Sequence, residues 1–269
     1  IFLGLTGIGL AVVVKLVLRE PVRGAMELDV GKKIVQPPFK DSLSILVKIP
    51  AWWAMCFGIA FGSFVSYATS AFQTKFLVLL DPAFDFQTLV IALGVINGTT
   101  YAGGAFFGAK LADWWGGKDI RAYGWLPAIA IGICLPIGVI SFWVSSVWVH
   151  LAFTTVFLLF LGIYLGPSFA IAQTLAPINM RAMSTALFFL ILNLIALGGG
   201  PTYIGLLSSA LTEQYGEVHA LRLSITTLVV PYILSIIAFF WAAKTLPKDW
   251  AEAEARNEKM MASNKSTST

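Results

Sequence analysis

Five charged side chains crowd into one short stretch of an otherwise apolar chain. Residues 104–121 read GAFFGAKLADWWGGKDIR and carry Lys110, Asp113, Lys118, Asp119 and Arg121, whereas no Lys, Arg, Asp or Glu occurs from Ala122 to Met180. One carboxylate with basic neighbours at a helix end suits an ion pair or a charge–dipole contact; a merely solvated loop is the plainer reading. A second set of residues is neutral. Ser63, Tyr67, Ser70 and Thr74 recur at helical spacing and share a face, with Ser66, Thr69 and Gln73 on an adjoining stripe. Asn97, Thr100 and Tyr101 cluster further on, followed by Tyr164, Ser168 and Gln173, and by Asn193 among apolar neighbours. Hydroxyls and amides offer hydrogen bonding without charge. They face either a polar cavity or a neighbouring helix, since hydroxyls also bond their own helix carbonyls. No acid–base or nucleophile–base pair lies at reachable spacing, so an enzyme is the least favoured class. His150 and His219 are far apart, and Cys56 and Cys134 sit singly in apolar runs. The chain therefore predicts neither a metal site nor a cofactor.

The elements that position these residues are membrane helices. Of 269 residues, 58% are hydrophobic and 12% charged, with mean hydropathy +0.82. A soluble domain carries about 25% charged residues. Seven apolar runs are predicted to span: 1–18, 48–73, 87–110, 122–144, 147–174, 182–208 and 221–245. Each is close to the ~20 residues that cross a bilayer as helix, and only helices and closed barrels satisfy their backbone in lipid. The alternation of a barrel strand is absent.

Charge sets the topology. With segment 19–47 placed inside, segments 110–121, 175–181 and 246–269 are inside too, and every Lys and Arg except Lys75 and Arg222 falls on that side. This predicts a multi-pass cell-membrane protein with cytoplasmic linker and C-terminus. The net charge of +4 and pI of about 9.1 thus reflect topology, not a nucleic-acid face. Pro21 and Pro37-Pro38 break helix, making 19–47 an inter-domain linker. The tail, 246–269, predicts a short polar helix with a disordered end.

One helix, a long cytoplasmic linker and six more helices resemble the major facilitator superfamily, whose fold joins two six-helix halves. GAKLADWWGGK (108–118) is similar to that family's cytoplasmic motif between the eighth and ninth helices. REPVRG (19–24), KDIRAY (118–123) and PINMRAMSTALFFLILNLIALGGGP (177–201) resemble the spinster-like branch. The fold implied is an all-α membrane protein: the end of helix six (1–18), the linker (19–47), a six-helix C-terminal bundle (48–245) and the tail (246–269). The chain begins inside an apolar run and is expected to continue a longer protein.

The resemblance implies a gate at Gly108, Asp113, Gly116, Lys118, Arg121 and Arg181, with Asp113 facing a helix of the absent N-terminal half. It departs from the motif at Trp114, where a basic residue is usual, and at Ser209, where an Asp is expected. The resemblance also implies a substrate cavity among Ser63, Tyr67, Ser70, Thr74, Asn97, Tyr101, Tyr164, Ser168 and Asn193. Gly198-Gly199-Gly200-Pro201 is either a functional helix break or a simple kink. The expected function is secondary active transport of a small or amphipathic, lipid-like substrate by alternating access, with a proton or sodium as coupling ion. A split or truncated transporter, inactive alone or working with a separate half, is the alternative. A non-transport scaffold is the third reading. Expected partners are membrane lipid, the substrate and the N-terminal half.

Overall fold

The computed structural model describes residues 2–17 and 39–266. They are helical, with no strand among the described residues. The chain divides into two compact units: 1–36 with 257–269, and 37–256. In the first, α1 (Phe2–Val17) is a 16-residue apolar helix. Most of the expected linker lies outside the described residues; its last part is the short helix α2 (Phe39–Leu46).

In the second unit, α3 (Pro50–Leu80) opens with Pro50 in its first turn, where the missing N–H costs nothing. It runs seven residues past its predicted end. Lys75 does not interrupt it, because its ammonium stays exposed and lies 3.8 Å from Glu217. After the 81–85 turn, Asp85 caps α4 (Phe86–Ile96) by accepting from the Thr88 N–H at 2.8 Å. The helix passes through a π-helical turn, Asn97–Tyr101, and continues as α5 (Ala102–Gly116). Asp113 and Gly116 are therefore inside the helix, not in a loop after residue 110. Next come α6 (Ala122–Trp143), α7 (Val147–Ile163) and α8 (Leu165–Thr174). Then α9 (Arg181–Leu192) leads through a second π turn, Asn193–Leu197, into α10 (Gly198–Tyr215). Gly216, at φ +74°, turns the chain into α11 (Glu217–Thr226), followed by α12 (Val229–Ser266). A left-handed residue of this kind favours glycine because it has no Cβ.

Among the described residues, five stretches are long and apolar enough to cross a membrane: Pro50–Leu80, Phe86–Gly116, Ala122–Trp143, Val147–Thr174 and Ile178–Lys259. The last is broken into two rods at Gly216. The core holds Trp52, Ile59, Phe76, Tyr164, Phe188, Tyr232 and Phe239, all buried. The α4–α5 rod packs on α7–α8, and the α9–α10 rod packs on α3. A glycine forces each approach. A Cβ on Gly104 would collide with the Leu159 carbonyl, and one on Gly200 would lie 2.5 Å from the Phe64 carbonyl oxygen.

Candidate functional site

A cavity of about 220 Å³ opens between α3, the first π turn, α6 and α7. Helical spacing brings its wall together. Ser66, Tyr67, Thr69, Ser70 and Gln73 come from α3, Asn97 and Tyr101 from the two ends of the π turn, Ser141 and Phe142 from α6, and Thr154 and Phe157 from α7. The π turn adds a residue to the helical ladder. Asn97 donates its side-chain amide to the Leu93 carbonyl (2.8 Å) and Thr100 its hydroxyl to that of Ile96 (2.6 Å). Such turns recur at functional sites.

Of the residues expected at the cavity, Tyr67, Ser70, Asn97 and Tyr101 line it. Ser63 and Tyr164 do not. Both are buried, with their hydroxyls 2.9 Å apart, and the Tyr101 and Tyr67 hydroxyls stand nearby. Ser168 is fully buried and donates to the Tyr164 carbonyl of its own helix at 2.7 Å. Thr74, half-buried, is also outside the lining. Asn193 lies outside this lining; it is exposed, and the Phe189 carbonyl of its own helix accepts its amide at 2.8 Å.

The adjoining stripe of Ser66, Thr69 and Gln73 faces the cavity as well. Through Gln73 it reaches a buried residue that spacing alone leaves isolated, His150. The His150 Nδ1 lies 2.6 Å from the Ser141 carbonyl, which can only accept, so Nδ1 carries the ring proton. Nε2 is then bare and accepts from the Gln73 amide at 3.3 Å, while the same amide donates to the Thr154 hydroxyl at 3.0 Å. Phe76 and Phe142 pack on the imidazole, with ring centroids 5.4 and 4.9 Å away. Arg222 donates to the Phe142 and Val144 carbonyls at 2.9 and 3.0 Å. His150 and Arg222 together satisfy carbonyls that the C-terminus of α6 leaves without helical partners. Their signal in the sequence is faint, because each meets a backbone group about nine or eighty residues away.

The charged stretch is built differently from expectation. Asp113 is exposed and accepts from the Tyr123 hydroxyl at 3.0 Å; among the described residues no ion pair joins it to Lys118 or Arg121. Gly116 makes room for this contact, since a Cβ there would strike the Tyr123 ring. Lys118 instead sets its ammonium 4.1 Å from the centre of the Trp114 ring, a cation–π contact at the position where the motif usually has a basic residue. Asp119 accepts the Arg121 N–H at 2.9 Å. Gly108 lets α5 meet the end of α7, for a Cβ would lie 2.5 Å from Ile163 Cα. Arg181 is exposed at the start of α9, and among the described residues no hydrogen bond or ion pair ties it to the motif. At 198–201, Gly199 and Gly200 pack against Phe64 of α3, while a Cβ on Gly198 would meet the Asn193 carbonyl oxygen at 3.8 Å, an ordinary contact.

The same end carries contacts that the reading of 246–269 as a tail did not anticipate. The α12 helix continues through Pro247. Asp249 accepts the buried Ala51 N–H at 2.7 Å, and Arg256 donates to the Leu175 carbonyl at 2.6 Å. Trp52 donates to the Ser184 hydroxyl at 2.7 Å, which in turn donates to the Ala172 carbonyl at 2.8 Å.

No family model matches the chain. An MFS-type efflux pump of Mycolicibacterium smegmatis is 26% identical over 211 residues, covering 78% of this chain and 48% of the pump. Two solved structures of a bacterial homologue of the human lysosomal transporter Spinster, both inward-facing, superpose on it. The unoccupied form has TM-score 0.73 and 23% identity, over 92% of this chain and 59% of that one. The chain has a major facilitator fold. The occupied form has TM-score 0.69 and 24% identity, over 90% of this chain and 56% of that one. The chain thus spans about half the length of the pump. This fold and the apolar spans make it a multi-pass membrane protein. Within the major facilitator fold the two π turns match. Each begins at an Asn, Asn97 or Asn193, and each is followed by a glycine pair, Gly103-Gly104 or Gly199-Gly200. Gly104 seats its rod on α7 and Gly200 seats its rod on α3.

Proposed function

We propose that the chain forms part of a spinster-like secondary transporter that moves a small or amphipathic substrate by alternating access, with its linker and C-terminus in the cytoplasm. The observation that carries this reading is the cavity itself: a cluster of hydroxyls and amides, set beside Phe142, Phe157 and Leu158, between helices long and apolar enough to cross a membrane. A polar wall in hydrocarbon is costly and marks a route for water or solute. Likeness in fold to the spinster homologue and the relation to an efflux pump support transport. The exposed apolar faces of α4–α5 (Val90, Val95, Phe106) and of α9–α10 (Leu190, Leu194, Leu206) suit lipid or an N-terminal half that completes the path. Asp113 and its helix end form the cytoplasmic gate in this reading, and a proton or sodium ion drives the cycle.

The test needs no knowledge of the substrate. Cys56 and Cys134 are buried and are replaced by Ala. Ser70→Cys and Val90→Cys are then introduced separately and treated in proteoliposomes with a membrane-impermeant thiol reagent. Transport predicts labelling at 70, none at 90, and a labelling rate at 70 that changes with an imposed pH or sodium gradient. A scaffold predicts no gradient-dependent change, and that result would refute the proposal.

A further inference from the structure

The hydrogen-bond ledger of the cavity wall points to the ligand it takes. Thr69 spends its proton on the Val65 carbonyl at 2.8 Å, and Ser141 spends its own on the Gly138 carbonyl at 2.7 Å. Gln73 gives one amide hydrogen to Thr154 and the other to the bare His150 Nε2. Its carbonyl oxygen is left over for the cavity, together with the acceptor lone pairs of Thr69 and Ser141. Asn97 has one amide hydrogen committed and keeps the other and its carbonyl oxygen, and the Thr154 hydroxyl, which accepts from Gln73, keeps its proton to give. Hydroxyls such as Ser70 and Tyr67 remain able to give or take. The wall is thus richer in acceptors than in donors.

It is also uncharged. Among the described residues, no Lys, Arg, Asp or Glu lines it. The one ring proton of His150 points away, to the Ser141 carbonyl. Arg222 gives Nε and Nη2 to the Phe142 and Val144 carbonyls, and Lys75 is exposed beside Glu217. A phosphate, sulfate or carboxylate would find hydroxyl and amide donors but no cation to offset its desolvation. An ammonium would find acceptors but no carboxylate to offset its desolvation. A hydroxyl group loses little on entering, because it donates to the spare acceptors and accepts from Ser70 and Tyr67. The volume of about 220 Å³ exceeds the ~150 Å³ of an engineered cavity that takes benzene, so a six-membered ring fits.

We infer that this cavity binds a neutral, hydroxyl-rich group of polyol or sugar-ring type, and that the Gln73 carbonyl oxygen is its main specificity-determining acceptor. This rests on the transport reading above and assigns the class of group that occupies its cavity. The test uses the chain in nanodiscs and three soluble probes with the same octyl chain below micelle formation: octyl glucoside, octylammonium and octyl phosphate. Binding is measured by calorimetry. The glucoside is expected to bind at least tenfold more tightly than either ion. Gln73→Leu should weaken the glucoside about tenfold and leave the ions unchanged. Ser70→Asp, which adds a carboxylate to the wall and leaves the contacts of Gln73 with His150 and Thr154 in place, should move the preference to octylammonium. Equal binding of all three probes, tightest binding of an ion, or a wild-type preference retained in Ser70→Asp would overturn the inference. Glucoside preference without gradient-dependent labelling at residue 70 would sink the transport reading and leave this one standing. Labelling without the preference would do the reverse.

Discussion

Asp249→Ala removes one acceptor, and the structure says what that should cost. The first helical residue of α3 is Pro50, which has no N–H. The second is Ala51, whose N–H is fully buried and bonds Asp249 at 2.7 Å from 198 residues away. Trp52 and Trp53 already bond the Ile49 carbonyl at 3.1 and 3.4 Å, so no nearby backbone group can serve Ala51 instead. Leaving a buried amide unpaired costs about 1–3 kcal/mol. Losing an anion at a helix N-terminus costs about 0.3–1 kcal/mol more. The sum is roughly 1.5–4 kcal/mol, and at ~2–4 °C per kcal/mol for a unit of this size the melting midpoint should fall by about 3–15 °C. Asp249→Asn keeps an acceptor and loses only the charge, so its midpoint should drop by no more than about 4 °C. The assay is thermal unfolding in a mild detergent, followed by tryptophan fluorescence, because Trp52 lies beside Ala51. An unchanged midpoint in Asp249→Ala, or equal losses in Ala and Asn, would refute the reasoning: the first by showing that the bond contributes nothing, the second that the acceptor is irrelevant.

Three further outcomes follow from the same geometry. Gly200→Val should separate α10 from α3 or strain them, costing about 1–3 kcal/mol of stability, whereas Gly198→Ala, whose Cβ makes only an ordinary contact with the Asn193 carbonyl oxygen, should lose no stability. Both are read by thermal midpoint. In the gate, Asp113→Asn in the complete transporter should reduce substrate flux with normal expression, and Tyr123→Phe, which removes the only hydrogen bond found to the Asp113 carboxylate among the described residues, should reproduce part of that loss. Unchanged flux in both would dismiss the gate. The Asp85 carboxyl lies below its ordinary value because the Thr88 hydroxyl and N–H both donate to its charged form. Its cap therefore contributes above the ordinary carboxylate range and is lost as pH falls through the lowered value. Hydrogen exchange at the start of α4 should accelerate there in the wild type and show no such acid step in Asp85→Asn.

The membrane class, the helical content and the neutral stripe on α3 were legible because they depend on local composition and the 3.6-residue period. Tyr67, Ser70 and Gln73 lie on adjacent ridges of one helix whatever the helix packs against. Helix ends were less legible. Lys75 and Asp113 look like stops in lipid, but each sits where its charge reaches the surface, and the backbone stays helical beneath it. Partners were not legible at all. Whether Asn193 meets another helix or bonds its own, and whether Lys118 pairs with Asp113 or rests on Trp114, depends on which rotamer the fold leaves room for. His150, Arg222, Asp249 and Arg256 each satisfy a backbone group left over at some other helix's end, and no residue pattern encodes such a group. The sequence alone therefore determined that this chain is a set of apolar helices with one polar face and one charged turn. Tertiary structure decided which polar groups remain unspent, because a hydrogen bond given to a distant carbonyl is no longer available to a ligand.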